Sequence, residues 1–599
     1  MSRQLWVALM KRNLDRRFYL LFLCTIIILA FHLYVSFASE PPLTDSLLIS
    51  ISDETGFLGL TENEKHPIEL LVEEANQKFQ NITEQQSRSL KDAVLEYRRR
   101  YRREPPPGFN HWYDAAVGSN TTVIDNFDTI MAAFEPYWAF SAQEIRARVQ
   151  DLKDAQGWKV YIIKIDNHTQ EVSVSHTQDV WASYKYDITM DWIKTFIEFL
   201  PSMEIAFTST DEPRNVVPRE ELDNAMSRCP DQHRRHVPRR PPVQFEDHAY
   251  RKHYEVSTVS CPPKHSSHIS NPNPLPSNGL CFVRNITRAQ DVCENPKVAD
   301  LHGGFGPSYS IKILNSLHPL FSRAKLSSYQ DLLFPAPDYV SGSYPKYNES
   351  QDMPWEQKDN RLYWAGSTTG AEASKDTGWQ NWQRERLVQE MNNRRRTVPL
   401  LKQNPKHLGR WEPYNGTMKE LSQLVDISFT NTAHCDASTC TEMDNTLHFS
   451  FLDQPSSAAY ENRFVMDIDG NGFTERFYRL LKSNSTVFKM TMFQEWHDDR
   501  LVPWVHYVPI SLEMKELPET LRFLADTERG REIAKKIGEQ GSVWAKMVLR
   551  EEDLRLAMWR ILLEYGRLYD GRRDRERGAE CPFVVEGNRQ RIRDVAKPP

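Results

Sequence analysis

The sequence predicts an α/β protein in which two nucleotide-type sheets face a common cleft, behind a single N-terminal membrane helix. Three stretches predict it. In residues 462–509, Phe464, Val465, Met466 and Ile468 form a short apolar run suited to a buried parallel strand. Asp469-Gly470-Asn471-Gly472 follows as a turn of residues that tolerate positive φ. Phe473, Phe477, Leu480 and Leu481 then recur at helical spacing. Residues 361–392 repeat the theme: RLYWAG as a strand, Ser367-Thr368-Thr369-Gly370 as a turn, and a helix carrying Arg384 and Arg386. The third stretch reads as a helix (Met190–Leu200), a break at Pro201, a strand (Met203–Thr208) and a polar loop holding Asp211.

Taken in order, residues 1–17 carry Arg3, Lys11, Arg12, Arg16 and Arg17, and residues 18–38 hold no Asp, Glu, Lys or Arg. That apolar run matches the roughly 20 residues that cross a bilayer and exceeds the roughly 7–15-residue core of a cleaved leader. Basic residues before it place the start of the chain in the cytosol, as a type II signal anchor; cleavage after Ala38 is the alternative. Seven N-x-S/T sequons, at Asn81, Asn120, Asn167, Asn285, Asn348, Asn415 and Asn484, fit a luminal body. So do seven cysteines beyond the anchor, where an oxidising compartment favours disulfides. Seven is odd, so at least one thiol is left over; Cys435 and Cys440 are near enough to pair. The expected location is therefore the Golgi or endoplasmic reticulum membrane. A net charge of −6 over 599 residues argues against a nucleic-acid binder.

Residues 39–88 read as a stem with little periodicity. Residues 89–345 read as an N-terminal, acceptor-side domain interrupted by a Pro/Arg-rich insertion at 212–278, with 293–345 as loops bridging to the next domain. Residues 346–570 read as a donor-binding domain with a helical tail, and 571–599 as a polar end.

A glycine turn opening a helix gathers unpaired N–H groups and the positive end of the helix dipole, a place for a diphosphate. Arg476 and Arg479 lie off the apolar face there; an ordinary α/β unit with solvated arginines is the alternative. Asp211 ends a strand, where open α/β sheets place their sites, and can serve as a general base or cap the turn before Pro213. Asp467-Ile468-Asp469 raises a Mn²⁺ reading, since strand alternation puts both carboxylates on one face, but the strand is apolar-flanked and runs into a phosphate-type turn. His434 beside Cys435 lacks a second ligand pair at zinc spacing. No metal ligands are assigned.

IDGNGFTERFYRLLKSNSTVFKMT, EWHDDRLVPWVHYVPI, RLYWAGSTTG, CENPKVADLHGGFG and YRRRYRREPPPGFNHWYDAA together resemble the fungal capsule-associated glycosyltransferase family, related to protein O-glucosyltransferases and O-xylosyltransferases and including β-1,2-xylosyltransferases. The resemblance covers roughly residues 90–570. It implies two Rossmann-like domains facing a cleft (GT-B-like) and an inverting, metal-independent transfer of xylose or glucose from a UDP-sugar to a glycan or glycoprotein hydroxyl, with no cofactor required. By the same resemblance Asp211, in LPSMEIAFTSTDEP, is the catalytic base. Gly366 and Ser367 contact the diphosphate, with Gly470, Gly472 and Arg476 in the second turn. Arg386, or else Arg384, supplies the helix arginine, and Glu495 lies near the nucleotide. Relatives carry arginine before that Gly-Ser, where this chain has Ala365. Two other readings compete: a non-catalytic carbohydrate-binding or glycan-assembly protein, and a glycoside hydrolase using Asp211 and Glu495 as paired carboxylates.

Overall fold

Apolar and aromatic residues crowd the strands of the first sheet, and the computed structural model buries them: Tyr161, Ile162, Ile163, Ile205, Phe207 and Phe321 are all at most 1% exposed. The structure describes residues 56–60, 64–155, 159–177, 183–227, 245–263, 280–308, 311–341, 345–404, 409–450 and 455–574. The expected anchor at 18–38 lies outside these residues. Among the described residues, no helix is long and apolar enough to cross a membrane.

The first-sheet region runs β1 (Val160–Asp166), β2 (Glu171–Thr177), helix α1 (Ser183–Lys194), β3 (Met203–Thr208), β4 (Leu320–Ser322), β5 (Ala324–Lys325) and β6 (Leu332–Leu333). The sheet order is β6-β4-β3-β1-β2. It is mixed: β1 runs antiparallel to β2 and β3, while β3, β4 and β6 are parallel. The segment 293–345, expected to be bridging loops, supplies two of these strands. Strands of two or three residues are too short to display a period, so they cannot be told from loop by pattern.

The second sheet contains β7 (Asp359–Ser367), β8 (Val425–Asn431), β9 (Asn462–Ile468), β10 (Thr486–Met490) and β12 (Val508–Pro509), with β11 (Gln494–Glu495) leaving it to pair with β5. Its order is β8-β7-β9-β10-β12 and every pairing is parallel. Helix α2 (Gln383–Asn392) links β7 to the strands that follow. Counted from β7, this is the doubly wound order 2-1-3-4-5, and its switch point lies between β7 and β9. Ligands of such sheets bind beyond the carboxyl ends of the two strands flanking that point.

Other expectations change as well. The stem at 39–88 contains an 18-residue helix, Pro67–Glu84, started by a reciprocal cap between His66 and Glu69. Its apolar face is sparse (Ile68, Leu71, Ala75), which hides it from a periodicity search, but His66 is fully buried, stacks on Phe523 at 3.9 Å and meets Glu519 at 3.1 Å. The helix expected to open at the Gly470–Gly472 turn begins only at Phe477, as the five-residue α3 (Phe477–Leu481), so it brings no helix N-terminus to the glycines. Of the insertion at 212–278, residues 228–244 and 264–279 lie outside the described residues, but its first part belongs to the core: Arg214 and Asn215 are buried, and their N–H groups donate to Asp331.

The helical tail does not stay with the second sheet. Its last helix, α4 (Glu551–Tyr569), packs on the elements around the first. Trp559 stacks on Phe196 at 5.2 Å, Trp112 Nε1 donates to the Leu556 carbonyl, and a buried Arg560–Glu564 pair receives the Tyr97 hydroxyl. Cys435 and Cys440 are disulfide-bonded, as are Cys261 and Cys293; Cys281 is a buried free thiol.

Candidate active site

Asp211 sits three residues beyond β3, in a loop pinned to the residue that precedes β1 by the Ser209 N–H on the Lys159 carbonyl. Arg323, between β4 and β5, reaches it from the neighbouring strand. One guanidinium nitrogen donates to Asp211 Oδ1 at 2.7 Å and to the Thr210 carbonyl at 2.6 Å, and another to Asp338 Oδ1 at 2.7 Å. Lys185 of α1 brings a second cation, 3.6 Å from Asp211 Oδ1 and 3.8 Å from Asp338 Oδ1. The two carboxylates differ in access: the Asp338 side chain is fully buried, whereas that of Asp211 is 50% exposed. Burial opposes ionisation of Asp211, but Arg323 and Lys185 outweigh it and hold the carboxyl below its ordinary range. The result is an ionised carboxylate with one oxygen tied down, as a positioned base requires.

The facing wall is built at the carboxyl ends of β7 and β9, the switch point of the second sheet. Arg476, the residue before α3, donates to the Ala365 carbonyl at 2.9 Å and passes over the Trp364 ring. Thus a cation does stand at the position where this chain has alanine, supplied from the other strand's turn. A Cβ on Gly366 would lie 2.8 Å from the Trp364 ring, too close to fit without a shift, and in ordinary contact with the Arg476 guanidinium at 3.4 Å. Arg384 of α2 donates to the carbonyls of Asp469 at 2.8 Å and Ser367 at 3.0 Å, and to Thr369 Oγ1 at 2.5 Å, joining both turns. Burial and the neighbouring Arg476 lower its pKa to about 10, still charged at neutral pH. Gly470 lies against the same guanidinium.

Arg386 corrects the sequence-based choice. Two residues along α2 from Arg384, it turns to another face, and its donors go to the carbonyls of Glu513, Leu512 and Asn381. Helical geometry separates neighbours two apart by far more than a turn allows. Glu495 is 1% exposed and receives the Tyr339 hydroxyl at 2.6 Å; burial pushes its pKa up to about 8. Tyr339 in turn stacks on Tyr478 at 3.6 Å. Asp467 is held by Lys489 at 3.0 Å and by Thr474. Asp469 receives the Met492 N–H at 2.8 Å and faces His302 at 3.3 Å. Among the described residues, no cluster of three or more His, Cys, Asp or Glu stands together to hold a metal ion.

The two walls touch. A Cβ on Gly472 would lie 2.8 Å from the Asp211 carbonyl oxygen, so the turn after β9 rests directly on the loop after β3. Pattern reading missed Arg323, Lys185 and Asp338. The available signal was Arg323 itself, a cation set with Lys325 in the largely apolar LFSRAKL run. The turn 367–370 also has a brace: Thr368 Oγ1 donates to the Ala433 carbonyl and receives the Ala433 N–H, both at 2.8 Å, and Ala373 exchanges backbone bonds with His434 and Asp436 beside the Cys435–Cys440 disulfide.

Residues 308–591 match the profile of Glycosyl transferase family 90. Human Protein O-glucosyltransferase 1 is 22% identical over 281 residues, covering 43% of this chain and 60% of the relative. Protein O-glucosyltransferase 2 of Danio rerio is 28% identical over 161 residues (25% and 31%), and the O-glucosyltransferase rumi homolog of Aedes aegypti 30% over 117 residues (19% and 28%). The chain thus matches at most about three-fifths of the length of these relatives. Residues 308–591 of this chain are accordingly similar to Glycosyl transferase family 90, and part of the chain is similar to the protein O-glucosyltransferases.

Proposed function

We propose that the protein is an inverting, metal-independent glycosyltransferase that moves a sugar, xylose or glucose, from a UDP-sugar to a hydroxyl of a glycan or glycoprotein, its two sheets facing a cleft in the GT-B manner. The observation that carries this reading is the contact of Gly472 with Asp211, which sets an ionised carboxylate from one sheet beside the arginine-lined turns of the other. Asp211 takes the proton of the acceptor hydroxyl as that oxygen bonds to the anomeric carbon. The bond from that carbon to the β-phosphate oxygen breaks, and UDP leaves with the electron pair. Arg476 and Arg384, with the N–H groups of the 366–370 turn, meet the charge growing on the diphosphate, a fixed array that needs no reorganisation during reaction. Gly366, Ser367, Gly470 and Gly472 let the diphosphate approach the backbone; Glu495 holds Tyr339 in place beneath the sugar. Sequons and disulfides support a luminal body on a type II anchor in the Golgi or endoplasmic reticulum.

The test is incubation of the purified protein with a panel of UDP-sugars and methyl glycosides, in EDTA. UDP released together with a glycosylated acceptor of inverted anomeric configuration is the expected result. Free sugar without a nucleotide donor, or activity that returns only with Mn²⁺, overturns the reading. The brace on the 367–370 turn gives a further expectation. The double substitution Cys435→Ser, Cys440→Ser should raise the KM for the donor about three- to tenfold with little change in kcat. The reason is that the loosened loop must be ordered on binding. Unchanged donor KM by initial-rate kinetics removes the brace from the site.

A further inference from the structure

The turn after β9 carries one chemical group that this mechanism leaves idle. Glu475 directly precedes Arg476, but the two side chains serve opposite walls: Arg476 reaches toward Ala365 and Gly366, whereas Glu475 lies in the field of Asp338, Arg323, Asp211 and Lys185. It is half-buried, yet its Oε2 is shut off from solvent and has no hydrogen-bond partner. A buried polar atom without a partner costs about 1–3 kcal/mol, and such groups call for an explanation. Here the explanation lies in position, because the residue stands where the donor wall and the base meet.

We propose that Glu475 is a further substrate-contacting residue, whose carboxyl hydrogen-bonds a hydroxyl of the transferred sugar or of the acceptor. The inference rests on the glycosyl-transfer reading. The balance of burial and charge around the group fits the role. Burial and then Asp338 favour its neutral form, with Asp211 adding to them, while Arg323 and Lys185 oppose them; the pKa is pushed up to about 8. At neutral pH the group is therefore an acid that can donate one hydrogen bond and accept others, as a sugar hydroxyl requires. Kept uncharged, it also leaves the negative charge of Asp211 undiluted. As pH rises through about 8 the proton is lost, the donor function disappears and a second anion stands beside the base.

The experiment uses the full chain as wild type, Glu475→Gln and Glu475→Ala, with UDP-xylose and UDP-glucose as donors and methyl glycosides as acceptors, across acid to alkaline pH. Glu475→Ala should raise one KM about tenfold, the equivalent of one hydrogen bond. A donor effect assigns the contact to the transferred sugar, and an acceptor effect to the other partner. Glu475→Gln, which keeps both hydrogen-bonding capacities, should stay within about threefold of wild type and lose the alkaline fall in rate. Wild-type KM values for both substrates in Glu475→Ala, or an alkaline fall that persists in Glu475→Gln, overturn the proposal while leaving glycosyl transfer intact. A purely structural role would lower the melting temperature without removing that alkaline limb, and would overturn it too. A wild-type protein silent with every donor defeats the underlying reading and this inference together.

Discussion

Asp211→Asn is expected to reduce glycosyl transfer by roughly a thousandfold, within the 10²–10⁴ range of a lost general base, while UDP still binds. The amide keeps the shape of the carboxylate and can still accept from Arg323, but it cannot take a proton. Donor binding should survive because the diphosphate side, as proposed, is built from Arg476, Arg384 and the two glycine turns, whose arginines bond to other groups than the Asp211 side chain. Initial rates and calorimetric titration with UDP separate the two effects. Full turnover by the variant would remove Asp211 from the mechanism. The same group sets the acid side of the pH profile. Its carboxyl titrates below the unfolded value because Arg323 and Lys185 outweigh burial, so the ion pairs contribute stability above the unfolded pKa. That contribution is lost as pH falls through the depressed folded pKa. Activity should therefore hold to lower pH than an ordinary aspartate base would permit.

The largest stability effect is expected at Arg323. Arg323→Met removes the cation between Asp211 and Asp338, and the two carboxylates do not respond alike. Asp211 is half-exposed and regains water. Asp338 is fully buried, and Lys185 at 3.8 Å offers it partial compensation. An uncompensated buried charge costs about 3–5 kcal/mol, and the partial help from Lys185 places the expectation near the lower end. Denaturant unfolding measures it. Adding Asp338→Leu to Arg323→Met should restore most of the loss, because replacing both partners removes the charge instead of stranding it. The double variant should still transfer sugar poorly, since Asp211 is then no longer oriented. A single variant as stable as wild type would show that the pair is not what holds the loop.

How much of this was legible in the sequence depends on whether the signal was local. The strand Met203–Thr208 appears with its expected ends, and β7 and β9 lie within two residues of theirs, because each is an apolar run bounded by a turn or break. The glycine turns were legible for the same reason. Arg384 against Arg386 was not: both are on α2, and which one faces the turns depends on the helix's rotation against β9, a tertiary fact. Arg323 and Asp338 form their pair across a strand of two residues, below the length at which pattern carries meaning. The Pro67–Glu84 helix was hidden because only four of its residues are buried. Glu495 was placed near the nucleotide, and only the packing of β11 on β5 reveals that it bonds to Tyr339.

Helix α4 completes the packing around the first sheet with residues made several hundred positions after those they cover. Trp112, Phe196 and Tyr97 have no finished surroundings until Leu556, Trp559 and Glu564 have left the exit tunnel. The amino-terminal half must therefore wait, partly open, through synthesis of several hundred residues, with aromatic side chains exposed to whatever chaperones the compartment supplies. A premature stop shortly before residue 551 would cost this protein far more than a dispensable tail.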